Sequence, residues 1–424
     1  MGLKNTDGFR FFETPQYPDV PEHEFRHRIA KAQKLMADAG VDCLLLWSRQ
    51  NIRYFFGYQS THWQIPSIQP AVGIIPNAGA ARLIVPDFFL GTAEQLVWVR
   101  DIVQQTDPHQ PNSIRELPVD VAKLVTEMGY GKARIGLEMG PLGCTWIPRP
   151  LNDIRAFEAT LPDAEMVDGD GVIWGCRMIK SEVEVERIAV AVEGHQAVLQ
   201  ALVDEFRPGM DEVGLARVAF GAAAKLGTGW LDDSIGLWGS FRASLNKEPM
   251  GDIGVHENAI ITESDYIFYC MCFQHKGYQP DSARIFQLGA ITPEHERMYE
   301  LVWTAQDEAE KAIKPGAPAN EVFRAMYAPI EDAGLPVLDK GGARNGPRHP
   351  RGALHRCLDG DAARVRYGSL DRALVLPQPQ NRRRPGQVRG SGPIRRDRRR
   401  LPQDPGVPAR NRASRPTVCQ IGTG

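Results

Sequence analysis

Two segments of similar design constrain the fold of this chain more than any other feature of its sequence. FRPGMDEVGLARVAFGAAAKLG (206–227) and IKPGAPANEVFRAMYAPIEDAG (313–334) each place a Pro-Gly turn before a polar cap and a helical pattern. The two segments start 107 residues apart, at 206 and 313, and each follows a long stretch with helical spacing. A repeated helix–turn–helix of this kind indicates an internally duplicated domain.

The residues before this repeat alternate between helical and strand patterns. Phe25, Ile29 and Leu35 form an apolar stripe ahead of Gly40, a helix stop, and the apolar run VDCLLLW then predicts a buried strand. Further strand patterns, AVGIIP, ARLIVP and ARIGLEM, alternate with helical ones. We therefore predict an α/β domain over residues 1–167 and a second domain over residues 168–341.

Composition fits a two-domain globular protein. The 424 residues are 42% hydrophobic and 24% charged. No apolar run reaches the roughly 18 residues that a membrane span needs, and the N-terminal sequence lacks the apolar core of a signal peptide. The seven cysteines are odd in number and mostly scattered, which favours reduced thiols. We expect a cytoplasmic protein without membrane contacts.

The tail after Lys340 has a different composition from the rest of the chain. It contains 19 Arg and 5 Asp but no Lys and no Glu, so its net charge is about +14 in a chain whose total is −2. One explanation is a disordered basic arm that binds nucleic acid or an acidic surface. The other is a shifted reading frame, because Arg, Pro, Gly and Ala are encoded by GC-rich codons.

We favour the shifted frame, and nucleic acid is therefore not an expected partner. Back-translation of residues 343–352 with the first nucleotide dropped permits His-Gly-Met-Gly-His-Gly-Ile. Residues 342–424, rich in Arg and Pro, cannot bury enough apolar area to offset the entropy of ordering their backbone. We expect this tail to be disordered and the second domain to be incomplete.

Four motifs, taken together, resemble the pita-bread family that includes creatinase, aminopeptidase P and prolidase. They are NIRYFFGY (51–58), RMIKSEVEVERI (177–188), GYQPDSARIF (277–286) and IKPG (313–316). The resemblance covers about residues 20–340. It implies an α/β N-terminal domain, a duplicated α+β pita-bread domain that is truncated here, and a homodimer that acts on a small-molecule substrate.

In the metallopeptidase members of this family, a β-hairpin supplies two aspartates, and later segments supply a His and two Glu that complete a site for two divalent ions. Two such cations need several carboxylates to neutralise their charge. Asp281 stands at the second aspartate position, but Cys270 stands at the first. In the shifted frame, Gln378 and Pro379 give a codon for Asn or Ser where the family usually has Glu. These two losses resemble the metal-free branch, of which creatinase is the familiar example.

The resemblance to creatinase provides candidate site residues. His256 is the candidate acid and base, and Asp281 is the candidate carboxylate that holds a cationic substrate. Trp238 and Arg242 lie on a segment that often lines the pocket mouth, where Arg242 could pair with a substrate carboxylate or form a surface salt bridge. Cys270 is a candidate substrate contact, although a small buried hydrophobe is the simpler interpretation.

The remaining polar residues of the hairpin are weaker candidates. His275 and Lys276 fall in the turn, where we expect both to be exposed to solvent. Arg284 follows Asp281 in the second strand, and an arginine at that position of the family is usually structural.

Three functions remain open. The favoured one is a metal-independent hydrolase that cleaves a C–N bond of a small substrate, such as a guanidino or cyclic amidine compound. Creatine itself is not an expected substrate, because Ala283 replaces a glutamate of the creatinase hairpin. The second is a dimetal Xaa-Pro aminopeptidase or dipeptidase that binds Mn, Zn or Fe, tolerates Cys270 as a ligand and uses Asp281 as another. The third is a non-catalytic protein or an inactive truncated product. No cofactor is favoured, and the chain as written is expected to be inactive.

Overall fold

The computed structural model describes most of the chain up to residue 335. The described residues are 18–64, 68–105, 117–140, 147, 149–226, 238–243, 260–262, 266–278, 280, 283–288, 290–335 and 419–421. Within 238–243, 266–272 and 419–421 the description is limited to the backbone, and within 283–288 only the side chain of Arg284 is described. The described residues form two units, each built on its own sheet.

The first unit contains a six-stranded mixed sheet with the strand order β4-β3-β2-β1-β5-β6. The pairs β1–β2 and β2–β3 are antiparallel, and the other three pairs are parallel. Its elements are α1 (Glu22–Ala39), β1 (Cys43–Leu46), α2 (Arg49–Phe56), β2 (Val72–Pro76), β3 (Arg82–Pro86), α3 (Leu90–Leu96), β4 (Ile102–Gln105), α4 (Leu117–Glu127), β5 (Arg134–Leu137), α5 (Leu151–Thr160), β6 (Glu165–Asp168) and α6 (Asp170–Arg177).

Both faces of this sheet are covered, which explains why β1 is a continuous apolar run rather than an alternating one. Leu44 and Leu46 pack in the core that contains α1, α2 and α6. Cys43 and Leu45 belong to the core on the opposite face, with residues of α4 and α5. Of the predicted apolar stripe of α1, Phe25 and Ile29 are buried and Leu35 is partly buried against the same core, and Gly40 ends that helix with φ of 64°.

The second unit contains a four-stranded sheet with the order β10-β9-β8-β7. Strands β7, β8 and β9 are antiparallel neighbours, and β10 adds to β9 in parallel. Its elements are α7 (Glu182–Glu205), α8 (Glu212–Lys225), β7 (Trp238–Ala243), β8 (Tyr266–Cys272), β9 (Ala283–Leu288), α9 (Pro293–Ala312), α10 (Ala319–Asp332) and β10 (Cys419–Ile421). No helix in the described part of the chain is long and apolar enough to cross a membrane.

The predicted helical repeat is confirmed. Helices α8 and α10 each have 14 residues, and they follow the long helices α7, with 24 residues, and α9, with 20. Gly209 and Gly316, 107 positions apart, both have φ of 85°. These glycines occupy the same place in the two turns, in a backbone conformation that favours glycine.

The two helix pairs differ in burial. Val198 and Leu215 are buried in a core that also contains Phe273. The counterpart of Leu215, 107 positions later, is Val322, which is half-exposed, and Ala305 is the one buried residue of α9 and α10. Among the described residues the second pair therefore lacks the cover that the first pair has, as expected for an incomplete pita-bread domain.

Strand β10 lies in a segment for which we expected no ordered structure. Cys419 pairs with Phe286 and Ile421 pairs with Leu288 along the outer edge of β9. The open edge of a sheet presents unpaired backbone groups that accept a further strand. This edge gives a physical reason why a short segment with two apolar residues can pair there.

Candidate active site

Three of the five predicted site residues lie on neighbouring strands of the second sheet. The backbone register sets Cys270, on the central strand β8, opposite Ser240 of β7 and Ala283 of β9. Trp238 and Arg242 flank Ser240 at alternate positions along β7. Because alternate residues and cross-strand partners share a face of a sheet, Trp238, Arg242 and Cys270 occupy positions on one face, which we name the site face.

The opposite face of this sheet packs against α7. Phe273, which continues β8, is buried, and a Cβ atom on Gly194 of α7 would lie 2.3 Å from its Cε1 atom. Arg284 is out of phase with the site face, and its positive charge acts on His195 of α7. The site face is therefore the face that α7 does not cover, and the position of Arg284 fits the structural role that the sequence suggests.

His256 and Asp281, the residues predicted to carry the chemistry, lie outside the described residues. Asp281 precedes Ala283 by two positions in the sequence. Among the described residues, no group of three or more His, Cys, Asp and Glu side chains is arranged to hold a metal ion. The roles of His256 and Asp281 thus stay predictions.

His195 is a titratable residue beneath the sheet that sequence reasoning missed. Burial, and then the positive charge of Arg284, lower its pKa to about 4, so the imidazole is neutral at pH 7. The residue belongs to an apolar stripe with Ala191, Val198 and Leu202, which are buried at helical spacing. This spacing is the signal that could have found His195. Because His195 lies among the buried residues of α7, we infer that it supports the packing beneath the sheet and does not contact a substrate.

A two-residue turn closes the β8–β9 hairpin. The backbone N–H of His275 donates to the backbone carbonyl oxygen of Tyr278 at 2.7 Å, and the backbone N–H of Tyr278 donates to the carbonyl oxygen of His275 at 2.9 Å. Lys276 and Gly277 have φ of 48° and 81°, as a type I′ turn requires. His275 is buried, so the expectation that it is solvated was wrong. The turn lies against the first unit, where a Cβ atom on Gly277 would lie 3.2 Å from the side chain of Arg53.

Two family models match the chain. The model of the creatinase/prolidase N-terminal domain matches residues 28–179, and that of metallopeptidase family M24 matches residues 186–359. Together they cover more than half of the chain. The second match extends past residue 341, where we predicted the end of the second domain.

Several curated proteins are similar over most of their length. The uncharacterized hydrolase/peptidase y4tL of Sinorhizobium fredii is 23% identical over 326 residues, which are 74% of this chain and 78% of that protein. The creatinase of Bacillus sp. (strain B-0618) is 23% identical over 328 residues, 72% of each chain. The putative dipeptidase YkvY of Bacillus subtilis is 21% identical and covers 73% of this chain and 78% of its own length.

Solved structures of the same fold include an Xaa-Pro dipeptidase from Bacillus anthracis, with a TM-score of 0.57 and 19% identity over 73% of this chain and 78% of that one. The prolidase from Pyrococcus horikoshii OT3 gives the same four values. The N-terminal domain of the FACT complex subunit SPT16 from chickpea has a TM-score of 0.55 at 13% identity, over 74% of this chain and 78% of its own.

These similarities confirm the predicted α/β N-terminal domain followed by a creatinase-like pita-bread domain. Because the two family models match consecutive stretches, residues 28–179 and 186–359, the chain belongs to the creatinase/prolidase family of M24 metallopeptidase-type hydrolases.

Proposed function

We propose that the intact protein is a metal-independent hydrolase that cleaves a C–N bond of a small guanidino or cyclic amidine substrate. The observation that carries the proposal is the identity of Cys270, which stands where the metallopeptidases that this chain resembles have the first aspartate of the hairpin. Ser240 and Ala283, its cross-strand neighbours, also lack a carboxylate.

The described positions of the site face do not fit a pair of hard divalent ions. Such ions take oxygen ligands, and carboxylates must offset most of their charge. Two thiols, Cys270 and Cys272, make a poor site for a softer metal without further Cys or His ligands. The described positions of this face contain no Asp or Glu; they are Trp238, Ser240, Arg242, Tyr266, Phe268, Cys270, Cys272, Ala283, Ile285 and Gln287.

In the proposed mechanism, His256 takes a proton from the attacking water as the water oxygen bonds to the amidine carbon. The C–N bond then breaks, and the same proton passes to the leaving nitrogen. The carboxylate of Asp281 holds the positive charge of the substrate, and Arg242 pairs with a substrate carboxylate. All three roles are part of the proposal.

A second candidate function is that of a dimetal Xaa-Pro dipeptidase. The similarity to an Xaa-Pro dipeptidase and to prolidases supports it. In that case Asp281 would be a ligand of Mn, Zn or Fe, and the thiolate of Cys270 would replace a carboxylate in the same site.

Elemental analysis combined with turnover tests the proposal. The protein is produced with its reading frame restored after codon 342 and is purified without chelator. We expect well under one equivalent of tightly bound Mn, Zn or Fe per subunit, and hydrolysis of a guanidino or cyclic amidine substrate that continues in EDTA. Two ions per subunit, with hydrolysis of an Xaa-Pro dipeptide that stops in EDTA, would instead establish the dipeptidase.

Substitution of Asp281 tests the substrate contact in the same protein. Asp281→Ala should abolish turnover without changing the thermal unfolding temperature. Asp332→Ala is the matched control, because Asp332 is an exposed carboxylate at the end of α10. Turnover of the Asp281→Ala protein at the level of this control would remove Asp281 from the site.

The chain as written is proposed to be an inactive product whose tail is out of frame. Resequencing the gene around codon 342 tests the frame, and turnover by the unaltered 424-residue chain would disprove the inactivity. For the intact protein we further propose a cytoplasmic homodimer, in line with the family resemblance, which sedimentation and cell fractionation can check.

A further inference from the structure

The tip of the β8–β9 hairpin docks between the two units against a group of charged side chains. Two lie in the first unit and two on α7. We name this group, with the tyrosine of the hairpin tip, the junction cluster: Asp19, Arg53, Glu184, Arg187 and Tyr278.

The hydroxyl of Tyr278 donates to Oε1 of Glu184 at 3.1 Å. The other oxygen of Glu184 accepts from the backbone N–H of Ser181 at 2.9 Å, and Oγ of Ser181 accepts from the N–H of Glu184, which forms a capping box. One carboxylate therefore holds both the start of α7 and the hairpin tip. Burial, and then the negative charge of Glu184, raise the pKa of Tyr278 to about 12, so the phenol keeps the proton that it donates.

Arg187, one turn further along α7, completes the contact. Its guanidinium carbon lies 5.8 Å from the ring centroid of Tyr278, and its Nη1 lies 3.2 Å from Oδ2 of Asp19. The same Asp19 oxygen lies 3.6 Å from Nη2 of Arg53. A Cβ atom on Gly277 would lie 3.2 Å from the side chain of Arg53. Both units thus contact the turn.

The charged side chains of this cluster are nearly removed from water: 4% of the Asp19 side chain and 10% of those of Arg53 and Arg187 are exposed. Buried ion pairs add little net stability, because desolvation offsets their attraction, whereas removal of one partner is costly. A buried network is therefore better suited to fixing one arrangement of the two units than to stabilising either unit. The element that it fixes is the hairpin of the site face, since Tyr278 lies in the turn between β8 and β9.

We propose that Tyr278 is a positioning residue for the candidate active site: its contacts with Glu184 and Arg187 hold the hairpin tip and so keep Cys270 of β8 in place. The catalytic meaning of this role rests on the proposed function, but the contact can be tested without turnover.

The test replaces Tyr278 with Phe in the full 424-residue chain. This change removes the hydroxyl that donates to Glu184 and keeps the ring under Arg187. Tyr130→Phe is the matched control, because the Tyr130 hydroxyl donates at 3.3 Å to Asn77 at an exposed place of the first unit.

The measurement is the rate at which iodoacetamide alkylates each cysteine, resolved by peptide mass spectrometry. Loss of a hydrogen bond to a charged acceptor should speed alkylation of Cys270 roughly tenfold or more in Tyr278→Phe. Cys43 and Cys176, buried in the first unit, should react as in the wild-type protein, and Tyr130→Phe should leave all three rates unchanged. An unchanged rate at Cys270, or an equal increase at all three cysteines, would overturn the proposal.

Turnover by the frame-restored protein gives a second readout. Tyr278→Phe should lower kcat with little change in KM, and Glu184→Gln, which keeps an acceptor for Tyr278, should retain most of kcat. Equal kcat for Tyr278→Phe and the wild-type protein would overturn the positioning role. Absence of turnover in the wild-type protein would refute the proposed function instead, and the alkylation rates alone would then decide the contact.

Discussion

Glu138 joins the end of β1 to the start of α2 and offers the sharpest test of how the first unit is held together. The residue is 1% exposed. Its Oε2 accepts from the backbone N–H groups of Trp47, at 2.6 Å, and Ser48, at 2.8 Å. Its Oε1 accepts from the hydroxyl of Ser48 and from Nδ2 of Asn51. Four donors therefore depend on one buried carboxylate.

Glu138→Ala should leave these four donors without their acceptor. Each bond to a charged group contributes roughly 1.5–3 kcal/mol, but the four do not add, because water can enter the space that the side chain vacates. Removal of one partner from a buried charged contact typically costs about 3–5 kcal/mol, so we expect a loss of about 4 kcal/mol in the free energy of unfolding of the first unit. For a unit of this size, the unfolding temperature should fall by roughly 10 °C.

Thermal and urea unfolding followed by circular dichroism measure this loss, and hydrogen exchange of peptides covering β1 and α2 assigns it to the first unit. Glu94→Ala is the control, because Glu94 is an exposed residue of α3 and its removal should change stability by no more than about 0.5 kcal/mol. Glu138→Gln, which keeps the volume but only one acceptor oxygen, should fall between them. A loss below about 1 kcal/mol in Glu138→Ala would refute the reasoning.

Two further predictions concern α7. The free energy of unfolding of the second unit should fall by roughly 3 kcal/mol as the pH falls from 6.5 towards 4, because His195 takes up a proton in the unfolded chain but has a pKa of about 4 in the folded one. Urea unfolding across this pH range should show a shallower pH dependence in His195→Leu. Gly194→Ala should lower the free energy of unfolding by about 1–3 kcal/mol, since its Cβ would overlap the ring of Phe273. Gly221→Ala in α8 is the control: no atom lies within 4 Å of the added Cβ, so urea unfolding should show this variant to be as stable as the wild-type protein or more stable.

Local patterns predicted the elements of the first unit but not the contacts that join them. The apolar run at β1 and the stop at Gly40 are visible within a few residues of sequence. The role of Glu138 is not, because its donors lie about 90 residues earlier in the chain. A carboxylate at the end of a strand gives no local sign that another strand and helix will close over it.

The candidate site shows the same limit. Strand alternation and family resemblance located Cys270 in a hairpin, and the structure adds its register with Ser240 and Ala283. His275 was misjudged, because its burial arises from packing against elements distant in sequence, whereas His195 was missed although its helical spacing places it in a buried stripe.

The motif NIRYFFGY, which first indicated the family, also has a physical explanation. Three of its polar residues, Asn51, Arg53 and Tyr54, belong to one helix, α2, yet each contacts a different part of the chain. Asn51 donates to Glu138 and accepts from Arg177 at the end of α6. Arg53 lies beside Asp19 and Gly277. The hydroxyl of Tyr54 donates to the carbonyl oxygen of Cys176, and the backbone carbonyl oxygen of Tyr54 accepts from Arg28.

Because the three contacts diverge, α2 connects the core of the first unit both to the end of α6 and to the hairpin tip of the second unit. The two aromatic residues between Tyr54 and Gly57 are buried in the first unit's core and hold the helix in that place. A substitution at Arg53 therefore changes the contact with the hairpin before it weakens the core, whereas one at Phe55 weakens the core first. This difference explains why a motif far from Cys270 in sequence bears on the candidate active site.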